Sequence, residues 1–351
     1  PEITVLSSGH GAKLFGFLYT IKDAFRAKVQ GVLPMPQAAL GEGLLLGVNG
    51  VLGKNWEAIF RTTGIIHIVV LSGYNLMLVV LFVQYVLSYV LPYRSRLIFG
   101  FSAVVLFAIL VGFSATVVRA SIMAGLLLFL RSVGNTYNVL RGLMLAGVGM
   151  LIWNPLLLLN DPGFQLSFLA TFGLILLSPH LEALVRFVPK VLGVREFLVA
   201  TLATQLFVLP LLLYQIGELS VVAVLVNVLV LPMVPVAMLL TFLAGLAGFV
   251  FAPAALMIGG LAHIALTYIL RVAELFASVP FAAFVVPAFP AWVMVFGYGV
   301  LGGVLYMLVQ KPKQGHFVSG WTIEEEEVVR QRILAASESD AASTKKPVFF
   351  Q

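Results

Sequence analysis

Between residues 64 and 310 the chain carries only nine Lys/Arg and five Asp/Glu in 247 residues, and the stretches between these charges are repeatedly long and apolar. A membrane-crossing helix needs about 20 mostly apolar residues. Candidate spans are 65–91, 97–113, 117–133, 139–159, 163–178, 197–216, 255–278 and 290–309. Residues 220–252 suffice for one further span but are interrupted by Pro232 and Pro235. They read either as one broken span or as two half-helices that meet inside the protein. Soluble domains run at about 25% charged residues, whereas this 351-residue chain has 10%, with 61% hydrophobic residues and a mean hydropathy of +1.06. The pattern excludes a soluble enzyme, a disordered chain and a disulfide scaffold. It predicts an all-α, polytopic integral membrane protein with about nine membrane elements, including a Pro-broken helix or re-entrant pair.

Three regions follow. Residues 1–63 form an amphipathic, interfacial helical region, 64–310 the polytopic domain, and 311–351 a polar tail. In the first, Leu14, Phe17, Leu18, Ile21, Phe25 and Val29 recur at helical spacing among Lys13, Lys22, Arg26 and Lys28, too many charges for an ordinary span. A weakly apolar stretch, 37–48, and a short segment at 55–62 lead into the first long run. In the tail, Thr322-Ile-Glu-Glu325 is a capping-box pattern opening a short helix, and the composition after Ser337 reads as disordered. The chain opens on Pro1 rather than Met, as expected of a fragment or a trimmed chain.

The net charge of +6 is mainly a topology signal. Arg94 and Arg96, Arg131 and Arg141, and Arg186, Lys190 and Arg195 fall in alternate loops, while the intervening loops carry Asp161 and Glu218. Basic loops stay cytoplasmic, which places residues 1–63 on the outer face. Lys311 and Lys313 favour a cytoplasmic tail.

Ionisable groups inside spans cost about 2.5–3.5 kcal/mol each on insertion scales, so each needs a reason. The first span has His67, Ser72-Gly73, Tyr74 and Asn75; on a continuous helix His67, Leu71, Tyr74, Asn75 and Leu78 share a face. The third opens on Ser114-Ala-Thr-Val-Val-Arg119, and Arg119 is near enough to its end to snorkel. The fifth opens on Asp161, placed to cap a helix, and lines up Phe164, Gln165, Phe168, Thr171 and Phe172. By the loop charges these three spans run in the same direction, so His67, Arg119, and Asp161 with Gln165 share one level. A shared aqueous mouth and an Arg119–Asp161 ion pair are competing explanations. Gln205, Pro210 and Asn227 follow, and Arg271 and Glu274 are spaced to neutralise each other on one helix.

These residues, in this order, resemble the ComEC family of competence DNA channels. The matching stretches are Phe60-Arg-Thr-Thr-Gly64 with His67 and LSGYN (71–75), Val118-Arg119-Ala120 with Met123, and Asn154-Pro155 followed by DPGFQLSFLATFG (161–173). Gln205 with Pro210 and Asn227 with Pro232 complete the set, which covers roughly residues 25–250. The resemblance implies a multi-pass channel of the bacterial cytoplasmic membrane that admits single-stranded DNA during natural transformation. It is expected to have no catalytic residues, cofactor or metal. The expected partners are single-stranded DNA, the lipid bilayer, a competence-system DNA receptor, a cytoplasmic ATPase and further copies of the chain. Candidates for the DNA path are His67, Ser72, Gly73, Tyr74, Asn75, Arg119, Asp161, Gln165, Ser167, Phe168, Gln205 and Asn227, with Pro232 and Pro235 as the helix break. Donors and a cation at an entrance suit a polyanion, and Tyr74 and Phe168 suit base stacking.

Family members usually carry an OB-type domain before this region, of which only residues 1–11 are a candidate remnant. Many also end in a metallo-β-lactamase-like domain; no His-x-His pattern occurs here, so no metal nuclease activity is expected. Those extra domains are thought to face outward, which conflicts with a cytoplasmic tail; counting 220–252 as two crossings removes the conflict by placing the tail outside. Other readings stay open at this point. One is a small-solute or lipid-linked permease with broken helices, and another is a non-transporting relative. The third is an intramembrane serine protease using Ser72 with His263 as base, although Leu71-Ser72-Gly73 lacks the preceding glycine.

Overall fold

The computed structural model of the protein describes residues 13–48, 52–69, 73–132, 138–189 and 193–310. The tail helix, residues 1–11, Leu71, Ser72 and Lys190 of the reading above lie outside these residues. The chain forms two compact units, Pro1–Gly299 and Val300–Gln351. The described part of the second, residues 300–310, is helical throughout.

The helices are α1 (Lys13–Val32), α2 (Gln37–Leu46), α3 (Gly53–Thr62), α4 (Ile66–Val69), α5 (Gly73–Leu87), α6 (Tyr93–Val111), α7 (Ala115–Ser132) and α8 (Val139–Trp153). Then come α9 (Leu157–Asn160), α10 (Pro162–Leu184), α11 (Val194–Gln215), α12 (Ala223–Val230), α13 (Val234–Val250), α14 (Ala252–Ala277) and α15 (Ala291–Gln310). Five stretches among the described helices are long and apolar enough to cross a membrane: Ile66–Leu87, Pro162–Leu184, Val194–Gln215, Ala223–Val250 and Ala252–Ala277. Shorter apolar helices cover Ser95–Val111, Ala115–Leu130, Val139–Trp153 and Ala291–Met307. Their outward surface is apolar: Ile152, Trp153, Phe187 and Val250 are all strongly exposed. Water does not tolerate an apolar surface on this scale. Lipid does.

Two packed centres, besides a small one at Ala108 and Val117, hold the first unit together. Leu76 and Val80 of α5, Leu97 and Val104 of α6, and Ala124 and Leu128 of α7 form one. The larger gathers Leu40 and Leu44 of α2, Phe60 of α3 and Ile65 with Val226, Val234, Leu266 and Ile269 from α12, α13 and α14. Close approach between α10 and α11 depends on Gly173, where a Cβ would lie 2.6 Å from the Ala203 carbonyl oxygen. Helix α10 continues through Pro179 to Leu184, beyond the 178 boundary read from sequence. Its tertiary packing outweighs the one backbone bond that Pro179 removes.

The proline break resolves as one interrupted span. Pro232 has no N–H to continue α12, so Leu231–Met233 tighten into a 3-10 turn. Pro235 then sits in the first turn of α13, where a missing N–H costs nothing. A two-stranded ribbon fixes the count. β1 (Glu218–Ser220) pairs antiparallel with β2 (Ala283–Val285), with Leu219 opposite Phe284. The loops before α12 and after α14 are therefore at the same end of the bundle. Between them α12–α13 and α14 make one trip away and one back; counting 220–252 as two crossings would separate the paired strands.

Residues 13–62 do not lie at one level. Val32 at the end of α1 packs on Gly259, Gln37 bonds Thr267, and α3 packs beside Ala277 and the ribbon. From 259 to 277 helix α14 advances about 27 Å, close to the roughly 30 Å hydrocarbon thickness of a bilayer. Between these contacts lies α2, a helix about 15 Å long, all ten residues of which are buried.

Candidate functional site

Arg119 is the centre of the cluster that joins α5, α7 and α10. Its Nε donates to Ser167 Oγ at 2.6 Å and its Nη1 to Thr171 Oγ1 at 2.8 Å, with the Met123 sulfur 3.6 Å from Nη1. The guanidinium carbon lies 5.9 Å from the centre of the Phe168 ring, within cation–π range. Ser167, Phe168 and Thr171 reach it together because residues three and four apart share a helix face. Phe168 is braced in turn by Phe164, with ring centres 4.4 Å apart, and by Gly147 of α8. Gly73 brings the start of α5 against the same group: a Cβ there would lie 3.2 Å from both Arg119 Nη2 and Ala120 Cβ. Hydroxyl and ring partners are among the contacts that orient the guanidinium.

Asp161 is used locally. Its Oδ1 accepts from Phe164 N at 3.0 Å, with Pro162 in the first helical position, so it is the N-cap of α10. Gln165 links three elements: its Nε2 donates to the carbonyls of Leu158 (2.7 Å) and Leu159 (3.1 Å) on α9, and its Oε1 accepts from Gln215 Nε2 at the end of α11.

The first span is described as α4, to Val69, and α5, from Gly73. His67 is exposed, with Nδ1 3.1 Å from Gly64 O, and Tyr74 is exposed too. Asn75 points the other way: it is 1% exposed and donates to Leu44 O (3.2 Å) and Ile68 O (3.5 Å). Gln205 on α11 and Asn227 on α12 belong to neither group. Each has a buried side-chain oxygen without a hydrogen-bond partner. His263 bonds Thr267, which accepts from Gln37. Arg271 and Glu274 pair at 3.0 Å as their spacing predicts. Among the described residues no three His, Cys, Asp or Glu side chains gather as a metal site.

Sequence reasoning missed a second polar centre. Glu42 on α2 has a fully buried side chain; Oε2 accepts from Arg26 Nε at 3.0 Å and Oε1 from Gln30 Nε2 at 2.7 Å. Its signal was available: Glu42 is the only acid between Asp23 and Glu57, inside an apolar stretch. The α1 charges are likewise engaged, with Lys22 Nζ donating to Leu110 O at 2.9 Å near the end of α6 and Lys28 over the Phe249 ring.

Comparison with known proteins gives a consistent result. Residues 44–311 match a family model described as "Competence protein". ComE operon protein 3 of Bacillus subtilis (strain 168) is 26% identical over 202 residues, covering 57% of this chain and 25% of that protein. The alignment therefore spans a quarter of the length of that relative. No solved structure matches.

Proposed function

The chain belongs to the Competence protein family, and from that premise we propose that it provides the path by which single-stranded DNA crosses the bacterial cytoplasmic membrane during natural transformation. The observation that supports this best is Arg119, a cation held at span depth by hydroxyls and a ring beside the opening of α5. A polyanion needs such a group to offset the cost of leaving water, and the adjacent aromatic faces accept any base. Here Arg119 meets phosphate, Phe168 and Tyr74 offer stacking surfaces, and His67 and Gln165 line the approach. Asp161, Ser167 and Gly73 position the others. No catalytic step is assigned to the chain. A separate DNA receptor delivers the strand, a cytoplasmic ATPase drives it, and the Arg-bearing loops face the cytoplasm.

The test is transformation of cells carrying Arg119→Ala or His67→Ala at parental protein levels. Loss of DNA entry with intact surface binding of DNA supports the reading; undiminished entry in both refutes the assignment of the path. The broken element α12–α13 also fits a small-solute permease. Vesicles that pass a small solute but not single-stranded DNA favour that second reading.

A further inference from the structure

We propose that α2 is an intramembrane support for the start of α5, and that Glu42 is the positioning residue that sets its orientation. The functional half of this inference rests on the reading above; the structural half does not. Helix α2 reads QAALGEGLLL and is buried on every side. A helix that is apolar all round has no face to tell it which way to rotate, because any rotation buries the same kind of surface. Its two glycines beside Glu42 also make it intrinsically weak. Position along the bundle is set sterically at Gly41, where a Cβ would lie 2.8 Å from Thr241 Cγ2. Rotation is left to polar contacts.

Three such contacts leave α2 toward three different helices. Gln37 Nε2 donates to Thr267 on α14, Glu42 accepts from Arg26 and Gln30 on α1, and Leu44 O accepts from Asn75 on α5. The last reaches the candidate site: Asn75 is two residues beyond Gly73, whose backbone lies against Arg119. Glu42 and Leu44 are in one turn of the same helix, so turning Glu42 away from α1 swings the Leu44 carbonyl away from Asn75.

The ion pair is lopsided, and this shapes the test. The Arg26 side chain is 27% exposed and has Asp23 at 3.6 Å as a second acid, whereas Glu42 is wholly enclosed. Removing Arg26 alone strands a buried carboxylate, and that variant reports folding rather than positioning. Replacing both charged partners by apolar residues strands no charge and releases only the Gln30 amide. The informative variants are therefore R26M/E42L, with E42Q and Q30L as milder disturbances that keep the pocket filled.

The chain contains no cysteine, so a single Tyr74→Cys reporter marks the start of α5 without further engineering. Its reaction rate with a membrane-impermeant maleimide is measured in right-side-out and inverted vesicles, alongside protein level. DNA entry is measured for the same α2 variants without the reporter. R26M/E42L is expected to keep parental protein levels while the reporter rate changes by about fivefold or more, the range of site-to-site coupling. E42Q and Q30L shift it in the same direction by less. Parental rates in R26M/E42L, or in E42Q and Q30L together if the double variant does not accumulate, overturn the proposal. An altered reporter rate in a parent chain that admits no DNA sustains the support role and sinks the DNA reading. An unaltered rate in a parent that does admit DNA has the opposite meaning.

Discussion

Arg119 Nε and Ser167 Oγ are 2.6 Å apart across the α7–α10 contact, and Thr171 Oγ1, one turn further along α10, takes the next guanidinium nitrogen at 2.8 Å. One face of α10 thus supplies two acceptors and the Phe168 ring to a single cation. A hydrogen bond to a charged group contributes about 1.5–3 kcal/mol. Ser167→Ala and Thr171→Ala should each lower DNA entry, and the double variant should approach Arg119→Ala. Arg119→Lys keeps the charge but not the two-pronged geometry, and should fall between parent and Arg119→Ala. Transformation frequency normalised to protein level checks the ranking; a lysine variant equal to the parent shows that charge alone matters.

The α10–α11 contact is set by the absence of a side chain at Gly173. Gly173→Ala places a methyl 2.6 Å from the Ala203 carbonyl oxygen and the Phe207 Cβ, neither of which is the free end of a flexible side chain. Overpacking of this kind costs about 1–3 kcal/mol. Gly149 on α8 has nothing within 4 Å of the same added atom, so Gly149→Ala should be neutral or stabilising by up to about 1 kcal/mol through helix propensity. Thermal unfolding in detergent should show a lowered midpoint for the first variant and none for the second. Equal midpoints would remove the steric account of this interface.

What the sequence disclosed about these elements depended on how local each signal was. Asp161-Pro162 announces a helix start because the cap and its Phe164 partner are three residues apart, and the Arg271–Glu274 pair follows from helical spacing alone. The membrane class was equally plain, since it needs only the length of apolar runs. Non-local choices were not legible. An Asp161–Arg119 ion pair is one of two explanations that the sequence leaves open, yet the local backbone N–H takes the carboxylate and the Ser167 and Thr171 hydroxyls accept from the cation. The stretch 37–48 looked merely weakly apolar because a ten-residue helix buried all round has no periodicity to read. His67 is exposed whereas Asn75 is buried against α2, although helical spacing alone puts them on one face.

Gln165 and Gln215 join the start of α10 to the end of α11, and Gln165 also donates to two carbonyls on α9. Contacting residues that share a hydrogen-bond network show coupling energies of about 0.5–3 kcal/mol. A double-mutant cycle with Gln165→Leu and Gln215→Leu should therefore be non-additive in detergent unfolding. The Gln165 variant should be the more damaging single change, because it also releases the Leu158 and Leu159 carbonyls. Strict additivity would mean that the two amides do not act on one another.

The last expectation concerns water. Lipid-facing and path-facing side chains are both exposed on the surface of a membrane protein, and only chemistry separates them. Single cysteines at His67, Tyr74 and Gln165 in the cysteine-free chain should react with a soluble, charged maleimide, because the proposed approach to Arg119 is wet. Cysteines at Trp153 and Val250, more exposed than Tyr74 or Gln165 but on apolar outer surface, should react slowly, since lipid excludes both the reagent and the thiolate. Leu40→Cys, at the centre of α2, should not react in either vesicle orientation. Added single-stranded DNA should protect positions 67, 74 and 165 and leave 153 unchanged. A pattern in which 67 and 165 stay as unreactive as 153 would make Arg119 a structural tie between α7 and α10, and the DNA path would have to lie elsewhere in the bundle.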